Sequence, residues 1–218
     1  MSDQYDEHEQ SERVKKWLIN NGSNLLTGLL LAVAAVSGWH WWQGREGRQT
    51  HEAVNQYQTF VAAVEKPDAA KAVALGNGLI ANYADSDFAF LAALRLAKLQ
   101  QQQGKTKEAL AAIEQAATLA RDDAARELAQ VRKAQLQMAQ GDTAGAAKTA
   151  AGIAGTAYPA SLAEIKGDLA AAAGKREEAA AHYRTALTAL DANAASRGLI
   201  EMKLTDAGGS AEQSQEIR

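Results

Sequence analysis

The segment AEIKGDLAAAAGKREEAAAHYRTAL, residues 163–187, decides the architecture of this chain. Two alanine-rich runs flank Gly174, and both are built from strong helix formers. Glycine lacks a Cβ, so Gly174 can take the left-handed conformation that ends a helix. A second helix begins at once. Ala179, five residues on, is small enough to let paired helices approach closely. Tyr183, Ala186, Leu187 and Leu190 fall at i, i+3, i+4 and i+7, one apolar stripe on a helix. The segment reads as helix–turn–helix.

The same phrase occurs twice upstream. GKTKEAL starts at Gly104 and GDTAGAA at Gly141, so the three glycines are 37 and then 33 residues apart. Ala109 and Ala146 repeat the alanine five residues after the turn. Ile113, Ala116, Ala117 and Ala120 repeat the stripe, as do Ala150, Ile153, Ala154 and Ala157. Phase and period recur together, and a period in the mid-thirties indicates stacked helix pairs. This is the tetratricopeptide pattern. Gly167, Ala179, Tyr183 and Ala186 occupy its small and aromatic positions best. The middle repeat is degenerate, with Gly145 where an acid is usual. A fainter unit runs from Tyr57 to Tyr83 and turns at Pro67-Asp68.

Local signals give the helix ends. Ser161 and Glu164 make an S-x-x-E capping box after Pro159. Ser86-Asp87 and Asp122-Asp123 place short acceptors before helical runs. Gly76-Asn77-Gly78 reads as a loosened helix or a kink. Phe90, Leu91, Leu94 and Leu99 add bulk to an alanine-rich core. The tail from Ala207 reads as disordered.

The N-terminal part is of another kind. No Asp, Glu, Lys or Arg lies between Lys16 and Arg45, and residues 25–42 read LLTGLLLAVAAVSGWHWW. At ~1.5 Å per residue, about 20 helical residues cross the ~30 Å core of a bilayer. Leu25, Leu26, Leu29, Leu30, Leu31, Val33 and Val36 supply the apolar surface. Trp17 on one side and Trp39, Trp41 and Trp42 on the other suit the headgroup level. A cleaved signal peptide is the competing reading, with residues 25–36 as its apolar region. The long acid-rich leader (Asp3, Asp6, Glu7, Glu9, Glu12) and the Trp cluster favour a retained anchor. Arg13, Lys15 and Lys16 precede the span, and Arg45 and Arg48 follow it. That bias puts the N-terminus in the cytoplasm and the bulk of the chain in the periplasm. Gly28 and Gly38 are ten apart rather than four, so the two-glycine dimer motif is absent. The expected fold class is therefore all-α: a single N-terminal transmembrane helix followed by a tetratricopeptide-like α-solenoid. The expected segments are 1–16 cytoplasmic, 17–44 transmembrane with its flanks, 45–206 periplasmic helical repeats, and 207–218 tail.

Catalytic signatures are missing. Zero cysteines exclude a thiol nucleophile, a disulfide framework and a Cys-ligated zinc. His8, His40, His51 and His182 have no metal-ligand spacing. Gly104-Lys105-Thr106 imitates a phosphate-loop ending, but Leu99 stands where that loop needs glycine. A net charge of -3 without a basic stripe argues against nucleic acid as a partner. No cofactor and no enzymatic activity are expected.

An acidic leader, one span ending GWHWW and an Ala-rich repeat domain together resemble the ancillary SecYEG translocon subunits, the YfgM-like family. VKKWLINNG (14–22), SGWHWW (37–42), AALRLAKLQ (92–100), residues 163–187 and EMKL (201–204) carry the resemblance. It implies a single-pass inner-membrane protein with a periplasmic repeat domain. Its implied partners are the SecYEG channel, a PpiD-like periplasmic chaperone, secreted polypeptides and the lipid bilayer. It also implies a link to restraint of an envelope-stress phosphorelay. As a translocon accessory, the chain would offer the first helix of each pair as a binding face, from residues 88–99, 129–140 and 161–170. A scaffold for a different envelope assembly predicts the same fold. A third reading makes residues 2–12 a cytoplasmic contact for a stress regulator.

Overall fold

The computed structural model describes residues 3–66 and 69–210; the side chains of residues 3–10, 14, 25 and 41–49 lie outside that description. Among the described residues the chain is helical: α1 (Asp3–Val64), α2 (Ala69–Asn82), α3 (Asp87–Gln102), α4 (Thr106–Leu119), α5 (Asp123–Ala139), α6 (Thr143–Ala151), α7 (Pro159–Ala172), α8 (Arg176–Thr188) and α9 (Arg197–Asp206). Two compact units divide it, Met1–Glu52 and Ala53–Arg218.

The first unit exposes apolar side chains on all sides of its helix. Leu26, Leu29, Leu30, Leu31, Val33 and Val36 are each more than half exposed, as are Trp17 and Trp39. Leu25, Trp41 and Trp42 lie outside the described side chains. The apolar run differs from the single spanning helix the sequence predicts. No one helix among the described residues is long and apolar enough to cross a membrane. Ser11–Asn24 and Leu26–His40, bent by 47°, meet that test only together. The polar shoulder supplies a reason for the bend. Asn21 Nδ2 donates to Trp17 O (3.0 Å) and Thr27 Oγ1 to Ser23 O (2.8 Å). Side chains that return to the preceding turn loosen and tilt a helix.

In the second unit α3 packs with α4, α5 with α6 and α7 with α8, and successive pairs stack. Each pair turns on one of the repeated glycines. Gly104, Gly141 and Gly174 have φ of +72°, +77° and +75°. The residue after each glycine donates five positions back, Lys105 to Gln100, Asp142 to Gln137 and Lys175 to Ala170, all at 2.9 Å. This is the Schellman closure, which satisfies carbonyls that the helix end would orphan. Ala109, Ala146 and Ala179 then have no exposed surface. In the last of these pairs Gly167 lies beneath Tyr183: a Cβ there would sit 2.5 Å from the ring.

Tyr57 and Tyr83 both pack on the N-terminal core cluster, while Pro67-Asp68 lies outside the described residues. The Gly76-Asn77-Gly78 triplet is neither a loosening nor a kink. It lies inside α2, where Gly76 lets Leu96 of α3 come within 2.8 Å of a would-be Cβ.

The middle repeat departs most from expectation. The stripe Ala150, Ile153, Ala154, Ala157 is not one helix face, because α6 stops at Ala151. Ile153 is buried all the same, in a small cluster with Val131, Ala134 and Ile165. Gly145, the departure from the usual acid, leaves room for the α6 cap: Gly145 N donates to Asp142 Oδ1 (2.8 Å), and a Cβ there would collide with that carboxylate.

The capping box at Ser161 and Glu164 does not form. Helix α7 starts at Pro159, with Tyr158 as its N-cap residue and no side-chain cap. Glu164 instead accepts from Lys203 Nζ at 2.7 Å. The chain entering α7 is held from α5. Glu127 is buried, and its carboxylate accepts from Thr156 N (3.2 Å), Thr156 Oγ1 (3.3 Å), Ala157 N (3.2 Å) and Tyr158 N (2.8 Å). Of the other expected caps, Asp122 accepts from Ala125 N (2.6 Å), whereas Ser86 Oγ donates to Tyr83 O.

A second polar lock closes the C-terminal end. Lys203 Nζ bonds Asp168 Oδ2 (2.8 Å) as well as Glu164, and Tyr183 OH donates to Asp168 Oδ1 (2.8 Å). Burial alone would lower the Lys203 pKa, but the two carboxylates outweigh it and raise it. Burial pushes the Tyr183 phenol up, and Asp168 adds to the shift.

Two glycines should respond to alanine in opposite directions. Gly167→Ala forces Tyr183 aside and should destabilise the fold by about 1–3 kcal/mol. Gly78→Ala meets nothing within 4 Å inside α2 and should stabilise it by about 0.5–1 kcal/mol. Denaturant unfolding of the full chain in detergent reads both.

Glu127 sets a pH dependence. Burial alone would raise its pKa, but the hydrogen bonds from Tyr158, Thr156 and Ala157 outweigh burial and hold it below the ordinary carboxylate range. The lowered folded-state value means a stability contribution present above the unfolded pKa. It is lost as pH falls through the folded one. Glu127→Gln removes the charge and turns an NH2 toward N–H donors, so about 2–4 kcal/mol should be lost at neutral pH. The gap from the parent should narrow in acid, as measured by denaturant melts across the carboxylate range.

Candidate functional site

The side chains that could meet a partner lie along two facing helices. On α3, Leu91, Leu94, Arg95, Lys98 and Gln101 follow i, i+3, i+4, i+7 and i+10, a single stripe. On α5, Leu128, Arg132, Gln135 and Leu136 follow i, i+4, i+7 and i+8. Together with Tyr57, Ala97 and Ile113 they line a groove of 520 Å³. Its apolar lining is mainly aliphatic, and Leu91 keeps 38% of its surface exposed.

One end is fixed by an aromatic group. Tyr57 lies 5.4 Å from Phe88 and 6.2 Å from Phe60, centroid to centroid, both tilted. Arg95 crosses the Tyr57 ring at 5.5 Å from its centroid, and its Nε donates to the phenol oxygen at 2.8 Å. Across the groove Arg132 Nη1 donates to Gln135 Oε1 at 2.9 Å. Arg95, Lys98 and Arg132 line the groove together, and no carboxylate is among its lining residues.

The sequence places the binding face on residues 88–99, 129–140 and 161–170. The groove draws on the first two stretches and adds Tyr57, Gln101, Ile113 and Leu128; residues 161–170 do not line it. Phe90 is core, and Phe88 is half-buried beside Tyr57. The three cations are the feature that linear reading misses. Arg95 and Lys98 share a visible i, i+3 spacing, but Arg132 joins them only through the stacking of α5 on the preceding pair. A second, smaller cleft of 400 Å³ is lined by Gln130, Lys133, Gln137, Gly145, Lys148, Thr149 and Gly152. There Thr149 Oγ1 donates to Gln137 Oε1, and Lys133 pairs with Glu114 at 2.7 Å. Among the described residues no three of His, Cys, Asp or Glu converge to hold a metal ion.

Comparison with known proteins agrees with this architecture. A family model described as a tetratricopeptide repeat-like domain matches residues 15–209. The chain is similar to the ancillary SecYEG translocon subunit of Escherichia coli (strain K12), 26% identical over 205 residues, covering 92% of this chain and 96% of the relative. The protein of that name from Haemophilus influenzae is 26% identical over 171 residues, 78% of this chain and 83% of the relative. The one from Aggregatibacter actinomycetemcomitans is 25% identical over 201 residues, 92% and 97%. Repeat spacing, left-handed glycine turns, buried alanines and the family match coincide over most of the chain, which belongs to the tetratricopeptide repeat-like domain family.

Proposed function

We propose that this chain is a non-enzymatic, membrane-anchored accessory subunit of the SecYEG translocon. In this reading its helical-repeat domain holds a periplasmic chaperone or an emerging secreted chain near the channel exit. One observation carries the reading. The family match begins at residue 15, so the uncharged run of residues 17–44 and the repeats both fall within it. The order of anchor and repeats thus accompanies resemblance to relatives named for the translocon.

The anchor follows from physical chemistry. Large side chains exposed on every face of a helix are costly in water and suited to lipid. A bend does not forbid a span, because the backbone bonds remain internal to the helix. Trp17 and Trp39 bracket the apolar stretch as interfacial anchors, and Trp41 and Trp42 continue the second group. The Lys and Arg bias favours residues 1–16 on the cytoplasmic side and residues 45–206 on the periplasmic side; of the tail expected from Ala207, residues 207–209 instead cap α9 by donating to Lys203, Thr205 and Leu204 carbonyls, and residues 211–218 lie outside the described residues.

Two measurements test this. The absence of cysteine makes single-Cys topology mapping clean. Thr188→Cys should react with a membrane-impermeant maleimide in spheroplasts, and Ser11→Cys only after lysis. The reverse pattern would overturn the orientation. For the partner, intact cells are crosslinked, the protein is purified in mild detergent, and co-purifying proteins are compared with an unrelated single-span control. Enrichment of channel subunits together with a periplasmic chaperone is expected. Enrichment of a different envelope complex without them would sink the translocon assignment.

A further inference from the structure

The groove between α3 and α5 has a charge pattern that its surroundings do not explain. Three cations, Arg95, Lys98 and Arg132, line it in a chain whose net charge is -3. Five cations elsewhere in the unit meet carboxylates, Lys133 with Glu114, Arg126 with Asp123, Lys175 with Glu178, Arg197 with Glu201, and Lys203 with Glu164 and Asp168, whereas no carboxylate lines the groove. Among the described residues, Arg95, Lys98 and Arg132 form no ion pair. Arg95 is also pre-oriented, because its Nε is spent on Tyr57 while its Nη nitrogens engage no acceptor among the described residues. A planar guanidinium held by one edge keeps its other donors ready for a carboxylate at reduced entropic cost. Leu91, Leu94 and Leu128 line the same groove as the cations.

We propose that the α3–α5 groove binds a short acidic peptide segment of a partner protein, in which carboxylates meet Arg95, Lys98 and Arg132 while an aliphatic side chain enters over Leu91 and Leu94. This deepens the interaction role proposed above and rests on it. The argument for the occupant is charge complementarity joined to an apolar lining. A nucleic acid fits less well: three cations hold few phosphates, and the aromatic ring at the groove is already covered by Arg95.

The experiment uses the full chain in detergent and a short fluorescein-labelled peptide of alternating Glu and Leu. The control is the same peptide with Gln for Glu. Fluorescence anisotropy should show the acidic peptide bound, the Gln peptide weakened about tenfold or more, and binding that falls as salt rises. The triple variant Arg95→Gln/Lys98→Gln/Arg132→Gln should lose acidic-peptide binding by a similar factor. Arg95 also braces Tyr57, so the double variant Lys98→Gln/Arg132→Gln, which leaves that pair intact, should weaken binding about threefold or more with unchanged helicity. Equal binding of both peptides would overturn the proposal, as would undiminished binding by both variants or no binding of the acidic peptide. Tighter binding of a labelled oligouridine than of the acidic peptide would overturn it too. Channel crosslinking by the unmodified chain is read separately, so loss of the peptide site leaves the translocon assignment to its own test.

Discussion

Close approach of paired helix backbones is the constraint on which the repeat unit depends. At Ala109, Ala146 and Ala179 a methyl group is all that the interface admits, and each is fully buried. The left-handed glycine five residues earlier fixes the turn that delivers the second helix to that distance. Where the approach is closer still, even a methyl is too large: Gly76 meets Leu96, and Gly167 meets the ring of Tyr183. Alanine packing brings dispersion contacts at little side-chain entropy cost, but each residue buries little apolar area. The bulk must come from a few large side chains, chiefly Phe60, Leu79, Leu96, Ile165, Leu187, Ile200 and Leu204.

A thin, divided core follows. The buried residues fall into three clusters, one over the first helices of the unit, a small one around Val131 and Ile165, and one at the C-terminal end. The smallest cluster sits where α6 is shortest, and there a polar device substitutes for apolar bulk. Glu127 gathers three consecutive backbone N–H groups and a hydroxyl from the strand of chain entering α7. A buried carboxylate is tolerable only when so fully satisfied. The Lys203–Glu164–Asp168–Tyr183 network does the corresponding work for α9, which closes the stack. In a solenoid each pair touches only its neighbours, so such local locks govern whether the array behaves as one body.

What was legible in the sequence is what is local. The three glycine turns and their phase-matched alanines are read from spacing within one helix pair; in the structure those glycines have positive φ and those alanines are buried, while the contact of Gly167 with Tyr183 is visible only in three dimensions. The misreadings lie where a distant residue intervenes. Glu164 looks like half of a capping box until Lys203, 39 residues later, claims it. The turn before α7 is instead held by Glu127, about thirty residues earlier. The stripe through Ala150 and Ile153 has helical period, yet the helix ends between them. Periodicity counts apolar residues without registering that Gly152 and Gly155 follow, the latter at φ +75°. The bend in the apolar helix has a local source in Asn21 and Thr27, but hydropathy alone does not weigh hydrogen bonds to the backbone.

An alanine-lined interior also shapes what the outside can do. Because small residues fill the seams, the long side chains of the first helices face a groove, which offers charged and apolar contacts together. An open groove of 520 Å³ with three cations cannot immobilise much of a partner, so its intrinsic affinity must be modest. The membrane anchor proposed above changes the consequence of that weakness. Tethering replaces free diffusion with encounter at a high effective concentration, and a weak, salt-sensitive site becomes occupied only when its ligand is presented at the same membrane. Weak contact has a further use in such a setting: it releases. In the proposed translocon role, a site that held an emerging chain or a chaperone tightly would obstruct the channel exit. Modest charge-assisted contact along an aliphatic lining instead permits capture and transfer in succession.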